Sequence, residues 1–296
     1  MKGKAEEQFR KIRKTTIVAI FSDDHLANRL VLKGGNLLDL VYEISPRSSL
    51  DIDFSMESEF EKREISRIGA RIRKALANAF MDSGYQVFDF VFYEKPKNSS
   101  ALQREYWGGY AVEFKLIEHE KLRTLTDEKS VLRRNATVIG PRQRKTFKID
   151  ISKYEFCSTK EKRELEGTTI FVYTPIMVIF EKLRAICQQF PEYGEIVHSH
   201  PRTARARDFI DIFSISEAFN IKWTSKENRE ILRKIFSIKN VPIEYIGRIG
   251  EFREFHRQDF EAVKSTVRAG YALKEFDYYI DYVLSRCQEL KAAGII

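Results

Sequence analysis

Residues 31–54 read VLKGGNLLDLVYEISPRSSLDIDF. After the turn at Gly34 and Gly35, apolar Leu37, Leu38, Val41 and Ile44 recur at helical intervals, which predicts a helix whose first free N–H groups lie just past the glycines. Such an end suits phosphate. Further on, Leu50, Ile52 and Phe54 alternate with Asp51, Asp53 and Ser55, so a strand here turns the apolar three into a core and both carboxylates to the opposite face. Two residues of strand rise separate the acids' backbones by about 6 to 7 Å. They can therefore share a divalent ion, or the paired ions of in-line phosphoryl transfer; without a cation they repel.

The 296 residues supply enough chain for about two domains and a sizeable core. Aromatic residues make up 12% and charged residues 32%, a balance that fits a globular protein with a highly charged surface and excludes a disordered one. The formal charge of +8 makes a polyanionic partner plausible without establishing one. Cys157, Cys187 and Cys287 are far apart, odd in number and without a Cys-x-x-Cys, so neither a disulfide framework nor a zinc site is expected. A cytoplasmic protein with no membrane insertion is the expectation, since the N-terminus lacks an apolar segment and the longest apolar run, near Phe171 to Phe180, is broken by Thr174 and Pro175.

Around the opening unit, residues 5 to 21 read as an amphipathic helix, with Phe9, Ile12, Ile17, Ile20 and Phe21 on one side. Glu59 to Asp82 reads as a second helix that stops before Gly84. Strands are expected at Gln86 to Glu94, Tyr106 to Ile117 and Thr146 to Ser152, where Asp150 repeats the polar register of Asp51 and Asp53. Residues 118–148 carry Arg133, Arg134, Arg142, Arg144, Lys145 and Lys148, with a turn at Gly140 and Pro141. This patch suits a nucleic-acid backbone or a solvated face. Near 168 to 174 the pattern changes from strands to helices. Thr174 is placed to cap, and Pro175 to open, a helix running to about Gln189 with Lys182 at the edge of its core stripe. Arg202 to Phe219 reads as another helix, with Phe209, Ile212, Phe213 and Phe219 inward and Arg205, Asp208 and Asp211 on a second face. Three further helices are expected at Asn228 to Phe236, Phe252 to Val267 and Phe276 to Leu290. His198 and His200 lack a carboxylate partner and are weak candidates for metal.

The opening unit resembles the AbiEii/AbiGii-type toxins of the DNA polymerase β-like nucleotidyltransferase superfamily. That family shows a Lys-Gly-Gly turn, a short helix, an Arg-x-Ser and an Asp-x-Asp-Phe strand, matched by Lys33, Gly34, Gly35, Arg47, Ser49, Asp51, Asp53 and Phe54. Asn36 stands where a small hydroxyl residue is more usual. The Glu181-Lys182-Leu183 segment is similar to the family's second signature, and the segment from Arg205 through Asp208 to Asp211 to its last, although Pro191 to Pro201 is longer than expected there. The resemblance implies an α/β fold, a nucleotidyltransferase-like mixed sheet with flanking helices over residues 1–172, followed by a helical domain over 173–296 that contributes Lys182 and Asp208.

The implied site is catalytic Asp51, Asp53, Lys182 and Asp208. Lys33, Gly34, Gly35, Asn36, Arg47, Ser49 and Arg205 would hold the nucleotide, with Arg207 a second candidate beside Arg205. Asp51, Asp53 and a third acid would hold magnesium or manganese; Asp150 is the candidate for that third acid, and Glu113 its competitor. By the same resemblance the substrate is a nucleoside triphosphate, the acceptor an RNA, most plausibly the tRNA 3′ end, and the partner a cognate antitoxin. Modification of a protein hydroxyl, and a non-catalytic nucleotide- or RNA-binding module, are the alternatives.

Overall fold

The computed structural model describes residues 2–47, 49–96, 105–126, 128–139, 144–197, 202–268 and 270–296. Gly140, Pro141, Arg142, His198, His200 and most of the turn expected at 95–100 lie outside them. Helix α1 (Lys2–Phe21) leads into β1 (Val31–Lys33), which runs directly into α2 (Gly34–Leu40). Then come β2 (Ile52–Ser55), α3 (Ile65–Asp82), β3 (Tyr85–Lys95), β4 (Gly109–Glu118), β5 (Phe147–Ser152), β6 (Glu161–Leu165) and β7 (Thr168–Val172). The strands form one seven-stranded sheet in the order β3-β4-β5-β2-β1-β7-β6. It is mixed, because β1 runs parallel to β7 and β2 parallel to β5 while the remaining neighbours are antiparallel.

Period-two alternation decides which face the helices cover. Ile52 and Phe54 of β2, Ile149 and Ile151 of β5 and Val112, Phe114 and Leu116 of β4 are buried. Phe21 of α1 meets Phe54 edge-on at 5.9 Å, and Phe80 of α3 lies 5.9 Å from Phe114. Gly69 lets α3 approach the sheet, since a Cβ there would come within 3.1 Å of the Phe92 ring. The polar side chains of β2 and β5 are therefore turned to the other face.

After the sheet come α4 (Pro175–Cys187), α5 (Ala206–Phe219), α6 (Lys226–Ser237), a 3-10 stretch over Ile243–Phe252, short helices at Arg253–Arg257 and Phe260–Lys264, and α7 (Phe276–Ala292). The continuous helix expected over 252–267 is thus broken. The basic segment 118–148 holds short helices at His119–Leu122 and Lys129–Asn135. Thr174 occupies the N-cap of α4, yet its hydroxyl makes no capping bond. Phe219, expected inward, is exposed, although its ring still meets Tyr42 at 5.2 Å. The three cysteines are buried and free. Among the described residues no helix is long and apolar enough to cross a membrane.

Candidate active site

Strand register builds the first row of the site. Lys33 of β1 stands opposite Asp53 of β2, and Asp53 stands opposite Asp150 of β5. Neighbouring strands lie about 4.8 Å apart, so the ammonium and two carboxyl groups project side by side from the face away from α1 and α3. Asp51 immediately precedes β2. Glu113 falls in another row, opposite Lys148, and accepts from the Tyr93 hydroxyl at 2.7 Å. Asp150 is accordingly the acid beside Asp53.

That face forms the floor of a cleft of about 730 Å³, closed on the far side by α4 and the start of α5. Lys33, Gly34, Gly35, Arg47, Ser49, Asp51, Asp53, Asp150, Lys182, Arg205, Arg207 and Asp208 all line it. Asn36 does not. It is fully buried: its Nδ2 donates to the Asp51 carbonyl at 2.6 Å, while its Oδ1 accepts from Arg13 Nη1 at 2.9 Å. Arg13 also bridges to Asp39 at 2.6 Å, so this amide joins the glycine turn to the acidic strand from behind.

The charges in the cleft are unevenly neutralised. Burial, together with the neighbouring Asp150, Glu181 and Asp51 carboxylates and against the pull of Lys33, pushes the Asp53 carboxyl up to about 7. Asp150 is held below its ordinary value in spite of burial, because Lys95 and Lys148 both bridge to it. Arg144 reaches Asp51 at 3.1 Å. Among the described residues no three acids, histidines or cysteines are gathered as a ready metal centre. Here basic side chains occupy one oxygen of Asp51 and both oxygens of Asp150.

Deeper in the cleft, Glu155 accepts from Arg184 at 2.9 and 3.1 Å, with Lys239 at 3.6 Å and Lys33 at 3.7 Å. Burial alone would lower the Lys33 ammonium, but Glu181, at 3.2 Å, and Glu155 pull it above its ordinary value. Burial, with Arg184 and Lys33 adding to it, outweighs Glu155 at Lys239 and lowers that ammonium to about 8.

A second buried network joins the opening unit to the helices. Lys182 bridges Asp208 at 2.9 Å and Asp211 at 2.7 Å, and Arg47 meets Asp211 at 2.7 Å. Burial would raise the Asp208 carboxyl, but Lys182 and Arg205 hold it well below its usual range. The Arg205 N–H, at the head of α5, donates to His256 Nδ1 at 3.2 Å. Burial lowers that imidazole to about 4, so it is the neutral acceptor at neutral pH.

The three similar segments therefore meet at one cleft. The model of the family described as nucleotidyl transferase AbiEii toxin, type IV toxin-antitoxin system, matches residues 16–282. The chain belongs to the AbiEii nucleotidyltransferase toxins. Among the solved structures that align with this AbiEii chain are two from Helicobacter pylori. A candidate nucleotidyltransferase from H. pylori covers 97% of it and is itself covered over 95%, at 15% identity and a TM-score of 0.49. JHP933 from Helicobacter pylori covers 97% and is covered over 92%, at 14% identity and the same TM-score. Neither adds to the family assignment. No curated protein matches the chain in sequence. Membership makes this AbiEii protein a nucleotidyltransferase, with a nucleoside triphosphate as substrate and an antitoxin as partner.

Several cleft residues of the AbiEii enzyme escape sequence reading. Glu155, Arg184 and Lys239 look like ordinary surface charges until the fold buries them together; Lys95, Trp107 and Gln188 carry no motif. The glycine turn, by contrast, has a plain physical demand. Gly34 has φ +71°, and a Cβ there would come within 2.6 Å of Asp53 Oδ2. Gly34→Ala is expected to displace the Asp53 carboxylate, lowering kcat about a hundredfold and stability by about 1 kcal/mol. Steady-state kinetics and urea unfolding check both, and wild-type turnover would contradict the packing argument.

Proposed function

We propose that the enzyme transfers a nucleoside monophosphate from a nucleoside triphosphate to an RNA 3′ hydroxyl, the tRNA end being the acceptor that the family resemblance suggests. The row Lys33, Asp53 and Asp150 across β1, β2 and β5 carries this reading, because it sets hard oxygen donors beside cations in a cleft roomy enough for a nucleotide. The donor set fits a magnesium or manganese ion. Asp53 has its carboxyl raised by burial and by the surrounding carboxylates against the pull of Lys33, and Asp51 and Asp150 adjoin it. Those three residues would hold the metal, which would supply charge neutralisation at the reacting phosphate.

The chain's own groups do the rest. Lys33 stands at the cleft floor; Arg47, Arg205 and the free valence of Lys182 bring positive charge to the side facing Gly34, Gly35 and Ser49. Lys182 has three N–H donors and spends two on Asp208 and Asp211, leaving one for a phosphate oxygen. The acceptor oxygen attacks the α-phosphorus, the bond to the bridging oxygen breaks, pyrophosphate leaves, and the hydroxyl proton passes to solvent water.

Purified protein incubated with α-labelled triphosphates, magnesium and total tRNA tests the reading. Label is expected at RNA 3′ ends and is expected to vanish with EDTA. Label on protein, or none, contradicts it. Arg144 is an ambiguous probe of RNA contact because it also clamps Asp51, and Arg133 is tied to Asp89 at 2.5 and 3.0 Å. Arg134 is exposed, and its carbonyl accepts from Lys145. Reversing Arg134 and Lys145 to glutamate is expected to raise the KM for RNA about tenfold, increasingly so at low salt, and to leave the KM for triphosphate unchanged. An unchanged RNA KM would remove the basic segment from the acceptor path.

A further inference from the structure

Beyond the acids, the cleft extends along α4. Glu181, Lys182, Ala185 and Gln188 line it from successive turns, and Trp107, Gly108 and Lys239 close its far end. Six residues of helix separate Lys182 from Gln188, a rise of about 9 Å. A ribose and its α-phosphate can bridge that span, so a triphosphate bound near Lys182 carries its base to the Trp107 end.

The groups waiting there have defined orientations. The Tyr193 hydroxyl donates to the Lys239 carbonyl at 2.8 Å and accepts from Gln188 Nε2 at 3.0 Å. This fixes the Gln188 amide, more than nine-tenths buried, and leaves its Oε1 without a hydrogen-bond partner among the described residues. Lys239 Nζ in turn donates to the carbonyls of Tyr106 at 3.0 Å and Lys153 at 2.7 Å, which pins the chain beside Trp107. The Lys239 ammonium also stands 5.7 Å from the centroid of the half-buried indole, which ties the ring to the chain that holds the amide. A flat aromatic wall beside a buried, orientated carboxamide is suited to a nucleobase: stacking is tolerant of base identity, whereas an amide that satisfies one base edge is left unpaired by another.

We propose that the Trp107 and Gln188 end of the cleft is the nucleobase subsite, with Trp107 stacking on the base and Gln188 Oε1 accepting from an amino or ring N–H on its edge. Gln188 then sets which triphosphate is used. The assignment rests on the nucleotidyltransferase reading of the same cleft.

Calorimetric titration with the four nucleoside triphosphates and with inorganic tripolyphosphate tests it. Wild-type protein is expected to bind its preferred nucleotide about tenfold more tightly than tripolyphosphate. Trp107→Ala is expected to erase that advantage with tripolyphosphate binding intact, Trp107→Phe to keep most of it, and Gln188→Met to level the affinities of the four nucleotides. Unchanged nucleotide binding in both Trp107→Ala and Gln188→Met would overturn the subsite alone. A Trp107→Ala variant that changes only the KM for RNA would also overturn it, by assigning the wall to the acceptor. Should Trp107→Ala fail to fold, the levelling in Gln188→Met decides. Failure of wild-type protein to bind tripolyphosphate would instead sink the underlying reading of the cleft.

Discussion

Asp53→Asn is expected to reduce nucleotidyl transfer by a factor of about 10³ or more, and at the same time to raise the melting temperature of the metal-free protein at pH 8. Both effects come from the same crowding. Asp53 sits between Lys33 and Asp150 in register, with Asp51 and Glu181 also nearby, and burial together with those carboxylates pushes its carboxyl up to about 7. Between about pH 4 and pH 7 the folded state therefore holds a proton that the unfolded state has released. By linkage, stability falls as pH rises through that window, and the whole penalty persists above pH 7. Asparagine carries no such penalty, so the gap in melting temperature between variant and wild type is expected to open from near zero at pH 4 to its full size above pH 7. A gain of about 3 °C is a reasonable scale, since about 1 kcal/mol moves a chain of this size by a few degrees. Adding magnesium is expected to stabilise wild type at pH 8 and not the variant. Transfer by Asp53→Asn at wild-type rate would remove Asp53 from the chemistry. A melting-temperature gap that does not vary with pH would show that its charge is not strained.

Lys182→Ala is expected to be the most destabilising single change in the cleft, costing about 3 to 5 kcal/mol. The ammonium lies between Asp208 at 2.9 Å and Asp211 at 2.7 Å, and removing it leaves two buried carboxylates with Arg47 and Arg205 as their remaining ion-pair partners among the described residues. Urea unfolding reads the loss directly. Because an unfolded enzyme is also inactive, the informative comparison is Lys182→Met combined with Asp208→Asn, which removes one buried charge of each sign and leaves Asp211 paired with Arg47. That double variant is expected to recover most of the stability while remaining inactive, since the free N–H of Lys182 is gone. Recovery of activity along with folding would reduce Lys182 to a structural cation. A Lys182→Ala variant of near wild-type stability would mean that water reaches the pair and that burial has little hold on it.

The opening unit was legible because its chemistry and its periodicity coincide. A glycine turn, a helical stripe and a two-residue alternation all lie within 31–54, and β1, α2 and β2 follow them. The pairing of Asp53 with Asp150 was not local: alternation showed that each faces away from a core, but only the parallel contact of β2 with β5 makes them neighbours. Asn36 is implied as a ligand only by the resemblance, where it stands in place of a small hydroxyl residue, and its amide is spent on Asp51 and Arg13. Glu155, Arg184 and Lys239 could not be told from surface charges, since their value lies in mutual burial. The β6 and β7 hairpin is silent in the sequence for a related reason. EKREL, residues 161–165, is a largely exposed edge strand with only its last residue in the core, so it carries no alternating apolar signal.

Crystals soaked with manganese and a triphosphate that cannot be cleaved between its α- and β-phosphorus offer the most direct measurement, an anomalous difference map. The account predicts a manganese peak between Asp51 and Asp53 beside Asp150, with the triphosphate lying against Gly34 and Gly35 and within reach of Lys182. Manganese bound elsewhere, or a triphosphate outside the space between the sheet face and α4, would contradict it.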